Sequence, residues 1–89
     1  MKFVAIDVET ANPSMASICQ IGVAIFENEE LRGEWQSFVD PEDYFDSVNS
    51  SIHGIEEADV KGAPTFSTIA DELFELVGRQ DFLKIFDGG

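Results

Sequence analysis

Two long apolar runs with almost nothing between them set the terms for this chain. Ile18–Asn28 ("ICQIGVAIFEN") and Glu30–Pro41 ("ELRGEWQSFVDP") are each long enough for a strand, and only Asn28 and Glu29 connect them. So short a connection implies an antiparallel hairpin, although Asn-Glu is a poorer turn than Asn-Gly. The stretch before them, residues 2–8, is mostly β-formers and reads as a third strand, buried on both faces. Three strands joined in sequence make a meander.

From Pro41 the character changes. "PEDYFDSVNSSIHGIEEADVKGAP" is rich in turn formers and acids and reads as a loop with apolar anchors and one short helix near residues 56–60. Beyond it Phe66, Ile69, Ala70, Leu73, Phe74 and Val77 fall at i, i+3, i+4, i+7, i+8 and i+11, a continuous apolar stripe on a helix. Thr65 suits its N-cap and Gly78 its stop. The closing run Phe82–Phe86 suffices for one more strand, and an intervening helix allows a parallel crossover that brings it beside the first.

At 89 residues the chain makes one small domain, in a size range where folding buries only about 60–65% of the unfolded surface. A hydrophobic fraction of 44% with eight Phe excludes a disordered polypeptide. The 18 acidic residues against five basic ones give a net charge of −13, and Lys2, Arg32, Lys61, Arg79 and Lys84 are scattered. That balance excludes nucleic-acid binding by clustered Lys and Arg, so any contact with phosphate needs metal ions between. Cys19 is the single cysteine, a buried thiol that suits a reducing compartment. With no signal peptide and no apolar stretch near the ~18 residues of a membrane span, the expected location is cytoplasmic, away from the membrane. The aromatic residues Trp35, Phe38, Tyr44 and Phe45 have no basic neighbours and read as packing rather than base-stacking groups.

The chemistry lies at the end of the first strand, in "FVAIDVETANPS". Residues i and i+2 of a strand share a face, so Asp7 and Glu9 continue the row of Phe3 and Ala5 while Val4, Ile6 and Val8 face the other way. Two carboxylates beside an apolar strand repel each other and lose hydration. A divalent cation resolves the conflict, and Mg²⁺ or Mn²⁺ prefers such oxygen donors. Spacing alone leaves open the alternative that the two acids only mark a strand's exit into a solvated loop.

The string around Asp7 resembles the first motif, D-x-E-T, of the DEDD superfamily of 3′–5′ exonucleases, and is closest to the branch of the bacterial DNA polymerase III epsilon subunit. "FVDPE", "SIHGIEEADVKGAPTF" and the amphipathic helix follow in the order found in that family. The resemblance implies an α/β, ribonuclease H-like fold, truncated to a three-stranded antiparallel meander, a helix and a fourth strand parallel to the first. It implies Asp7 and Glu9 as catalytic metal ligands, Mg²⁺ or Mn²⁺ as the cofactor in a two-metal site, and a 3′ end of DNA or RNA as substrate. Thr10, Ile52 and His53 are implied near the terminal nucleotide, and a DNA polymerase is implied as partner of a proofreading enzyme. Phe86-Asp87 echoes the "FD" of the second motif and makes Asp87 a further candidate ligand, although no His-Asn pair precedes it. The third motif, with the general base, finds no room. Residues 1–89 are therefore expected to be the N-terminal half of the domain, inactive in isolation. The alternative is a non-catalytic interaction module or a domain-swapped oligomer, self-associating through open strand edges.

Overall fold

The computed structural model describes residues 2–77 and 83–87, with side chains through residue 75. Strand β1 (Lys2–Thr10) is followed by a 3₁₀ turn (Met15–Ser17), β2 (Ile18–Glu27) and β3 (Glu30–Phe38). A short helix α1 (Ser47–His53), a second 3₁₀ turn (Glu57–Val60), helix α2 (Phe66–Val77) and β4 (Leu83–Asp87) complete the order. The four strands form one sheet in the order β3-β2-β1-β4. The first three are antiparallel, and β4 returns parallel to β1 after α2, as expected.

The hairpin turn shows why its sequence is weak. Asn28 and Glu29 have φ of 53° and 68°, the left-handed pair that a two-residue turn needs to match the strand twist. Asn tolerates that region, but an L-residue with a long side chain loses roughly 1–2 kcal/mol there. Glu29→Gly is expected to stabilise the domain by about 1 kcal/mol, the strain relieved being partly offset by unfolded-chain entropy. A raised urea midpoint at unchanged slope is the check.

Val4, Ile6 and Val8 of β1, Ile21 and Val23 of β2, Val39 just after β3 and Ile69 of α2 make the main core, with Trp35 and Leu73 packed against it. The buried residues of β1 are therefore on one face only. Phe3 and Ala5 on the other are half-buried and Asp7 is exposed, which corrects the expectation of a strand buried on both faces. The α2 stripe is also narrower than its spacing predicts: Ile69 is buried, but Phe66 and Phe74 are 43% and 69% exposed. Each residue turns the helix by about 100°, so Phe74 leaves the sheet-facing line that Leu73 keeps. Trp35 of β3 donates its indole N–H to Glu72 Oε1 at 3.1 Å and so ties the sheet edge to α2. Gly78, the expected helix stop, lies outside the described residues.

A second, smaller cluster of Ala11, Cys19, Ile55 and Val60 sits under the loops, with Phe45 and Ala63 against it. Helix α1 was not expected in this region. Asp46 caps it by accepting from the Val48 amide at 2.8 Å, and Gly54, at φ 78°, ends it by donating to the Ser50 carbonyl. Its apolar residues Val48 and Ile52 are 64% and 58% exposed, so no buried stripe betrays it. Serines and Asn49 fill the rest with residues that also suit turns. The expected short helix near residues 56–60 is present as 3₁₀, closed by reciprocal bonds between Glu56 and Asp59.

Candidate metal-binding site at the end of the first strand

The β1–β2 register sets Ala5 opposite Ala24, Asp7 opposite Gly22 and Glu9 opposite Gln20. Residues paired in register share a face, so Asp7 stands over a floor of small residues, while Glu9 faces Gln20 beyond it. The result is an open depression of about 460 Å³ lined by Ala5, Asp7, Gly22 and Ala24, with Glu34 and Gln36 from β3. Asp7 is exposed in it. Glu9 is half-buried, and its Oε2 is buried.

Two of the chain's cations are paired away from these carboxylates. Lys2 pairs with Glu27 at 3.5 Å and Arg32 with Glu30 at 3.1 Å, at the hairpin end of the sheet. Lys2 lies five positions before Asp7 along β1, roughly 17 Å away. The described residues do not bring a third His, Cys, Asp or Glu to the pair. Asp87 is the register partner of Val8, while Asp7 is matched by Phe86, so the further candidate ligand stands one position off the carboxylate row. Two hard oxygen donors on one face, open to solvent on the Asp7 side, fit a divalent cation that keeps water or phosphate oxygens in its remaining positions.

The other candidate residues gather where β1 leaves the sheet. Pairing slips between Glu9 and Thr10, and Thr10 beyond the slip is 5% exposed. Its hydroxyl and carbonyl both accept from Asn49 Nδ2 at 3.3 Å, and His53 Nε2 meets the same carbonyl at 2.8 Å. His53 Nδ1 accepts from the Ile55 amide at 2.9 Å, so both ring nitrogens are engaged within the chain. Ile52, beside it on α1, is more than half exposed. The loop that follows Thr10 is tied down by Asn12, which donates from Nδ2 to the Tyr44 carbonyl and accepts from the Ser14 amide.

A family model for exonucleases, RNase T, matches residues 4–86. The chain belongs to the RNase T exonuclease family. Among solved structures its fold is similar to exonuclease X in complex with 5′-overhanging duplex DNA, with a TM-score of 0.74 and 21% identity over 80% of this chain and 42% of that one. It is similar also to a full-length 3′-exonuclease, at TM-score 0.74 and 19% identity over 94% and 45% of the two chains. A third similar structure shows 3′-end-specific recognition of a histone mRNA stem-loop by a 3′-exonuclease, at TM-score 0.73 and 20% identity over the same shares. No curated protein matches the chain. The chain thus spans less than half the length of these neighbours, and at such identities the likeness is one of fold: α/β and ribonuclease H-like, as the motifs implied.

Two further residues of this RNase T family chain bear on the site and were not candidates from sequence. Asn49 offered no signal, because its helix was not foreseen. Cys19 read only as a buried thiol, and it is indeed fully buried and free. Burial first, and the charge of Glu9 second, push its pKa from 9.0 up to about 11. Above pH 9 the unfolded chain releases this proton while the folded chain keeps it, so stability falls as pH rises from about 9 to about 11 and then levels. The loss from this group is on the order of 2 kcal/mol. Urea unfolding between pH 8 and 11 should show that loss in the wild type and lack this component in Cys19→Ala.

Proposed function

We propose that this chain is the metal-holding part of a 3′–5′ exonuclease acting on a nucleic-acid 3′ end, with Asp7 and Glu9 as ligands to Mg²⁺ or Mn²⁺. The observation that carries it is the pair itself: two co-facial carboxylates at the exit of β1, in a chain of the RNase T exonuclease family. When bound, the metal supplies a Lewis acid that activates water and offsets charge on the phosphodiester. The chain's own part is to hold two oxygens on one face while the small residues Ala5, Gly22 and Ala24 leave room beside Asp7. Thr10 fixes the backbone next to Glu9, and Ile52 presents an apolar surface at the same end of the sheet, suited to packing against a terminal nucleotide. Two carboxylates with no third ligand beside them among the described residues place water loosely, so the 89 residues alone are expected to bind rather than to hydrolyse.

With a net charge of −13, binding to an oligonucleotide depends on the cation. The test is fluorescence anisotropy of a short single-stranded DNA, and of the matching RNA, carrying either a 3′-hydroxyl or a 3′-phosphate. Binding that requires Mn²⁺, prefers the 3′-hydroxyl and is lost in the Asp7→Asn/Glu9→Gln double variant is the expected result. Binding that is equal without metal, or unchanged in the double variant, overturns the proposal.

A further inference from the structure

We infer that His53 and Asn49 are positioning residues for the carboxylate pair, acting through the Thr10 carbonyl; the inference rests on the metal-holding reading above. Pairing is irregular between Glu9 and Thr10, and beyond it Thr10, the residue that follows the second carboxylate, pairs with Ile18 and is 5% exposed. A buried carbonyl at such an irregularity needs donors. They come from α1: His53 Nε2 at 2.8 Å and Asn49 Nδ2 at 3.3 Å.

The histidine is committed to one form by its own contacts. The Ile55 amide can only donate, so Nδ1 is the bare nitrogen that accepts it at 2.9 Å, and Nε2 carries the proton that goes to the Thr10 carbonyl. One ring therefore links the turn after α1 to the backbone beside Glu9. The helix that holds it is itself fixed to the loop after β1, since the Asp46 amide donates to the Ala11 carbonyl at 2.7 Å and Asn12 holds the Tyr44 carbonyl at 3.0 Å. Glu9 sits between a sheet register on one side and this clamp on the other, so the direction of its carboxylate follows from both.

Two substitutions separate the clamp from general stability. In Gln the amide nitrogen lies as many bonds from Cα as His Nε2, so His53→Gln keeps the donor to Thr10. In Asn the side-chain oxygen takes the place of Nδ1, so His53→Asn keeps the partner of the Ile55 amide but loses the donor to Thr10. Without metal, the Glu9 and Thr10 amide resonances of His53→Gln should stay near their wild-type positions, while those of His53→Asn and Asn49→Ala should shift or broaden. With Mn²⁺ as the probe, titrated calorimetrically, affinity should fall about tenfold in His53→Asn, the lower end of the effect of outer-shell changes, and stay within about threefold of wild type in His53→Gln. Wild-type resonances and Mn²⁺ affinity in a folded His53→Asn would overturn the inference. If Mn²⁺ binds the wild type without needing Asp7 and Glu9, the metal-holding reading fails instead, and the amide spectra still decide whether the clamp orients Glu9.

Discussion

Ile21→Ala is expected to remove about 2–5 kcal/mol from the stability of this domain. Ile21 is 1% exposed and lies mid-strand on β2, in register with Val8 on one side and Ser37 on the other. Its side chain belongs to the same cluster as Val4, Val39 and Ile69, so it bridges the sheet, the strand-end loop and α2. Truncation deletes buried methyl groups and leaves a cavity that a rigid three-strand floor cannot close. A chain of 89 residues has a total stability of roughly 4–13 kcal/mol, so the variant loses between about 15% and all of it. The contrast is Phe74→Ala, a larger deletion at a residue 69% exposed, expected to stay within about 0.5 kcal/mol. Urea unfolding of the three proteins decides it, and equal midpoints for Ile21→Ala and wild type would contradict this account of the core.

The elements with strong periodicity were legible from sequence because burial imposes it. Alternation in "VAIDV" placed Val4, Ile6 and Val8 on one face and Asp7 on the other, and the structure buries the first three and exposes the last. The Phe66–Val77 spacing gave α2 within its observed bounds. What the pattern overstated was burial, since it registers that a residue is apolar and not whether another layer covers it. Phe74 and the Phe3 face of β1 show this. Helix α1 escaped because its stability comes from Asp46, Gly54 and bonds to the β1 exit rather than from an apolar stripe. The same gap hid Asn49. His53 could be singled out by its place in "IHGI", yet its two bonds, to a residue 43 positions earlier and to its own turn, are products of the tertiary fold. Asp7 and Glu9 were legible as a pair because strand geometry alone makes them co-facial.

The carboxylate pair makes the second large prediction, and its sign changes with the metal. Without a divalent cation, Asp7→Asn and Glu9→Gln each remove one member of a like-charged pair, from a chain already at −13, so neither should lower the melting temperature appreciably. Adding Mn²⁺ should stabilise the wild type by RT ln(1 + [Mn²⁺]/Kd), about 1.4 kcal/mol at ten times Kd. For a domain of this size that corresponds to a rise of roughly 6–11 °C. Any salt also screens the net charge and raises stability without a site, so the comparison is made at matched ionic strength with NaCl. The site-specific part is what remains in the wild type and disappears in both variants. Loss in Asp7→Asn alone would assign the cation to the exposed carboxylate and leave Glu9 as a neighbour. Equal shifts in all three proteins would mean that Mn²⁺ acts only on the overall charge, and the pair would then be two acids at a strand exit.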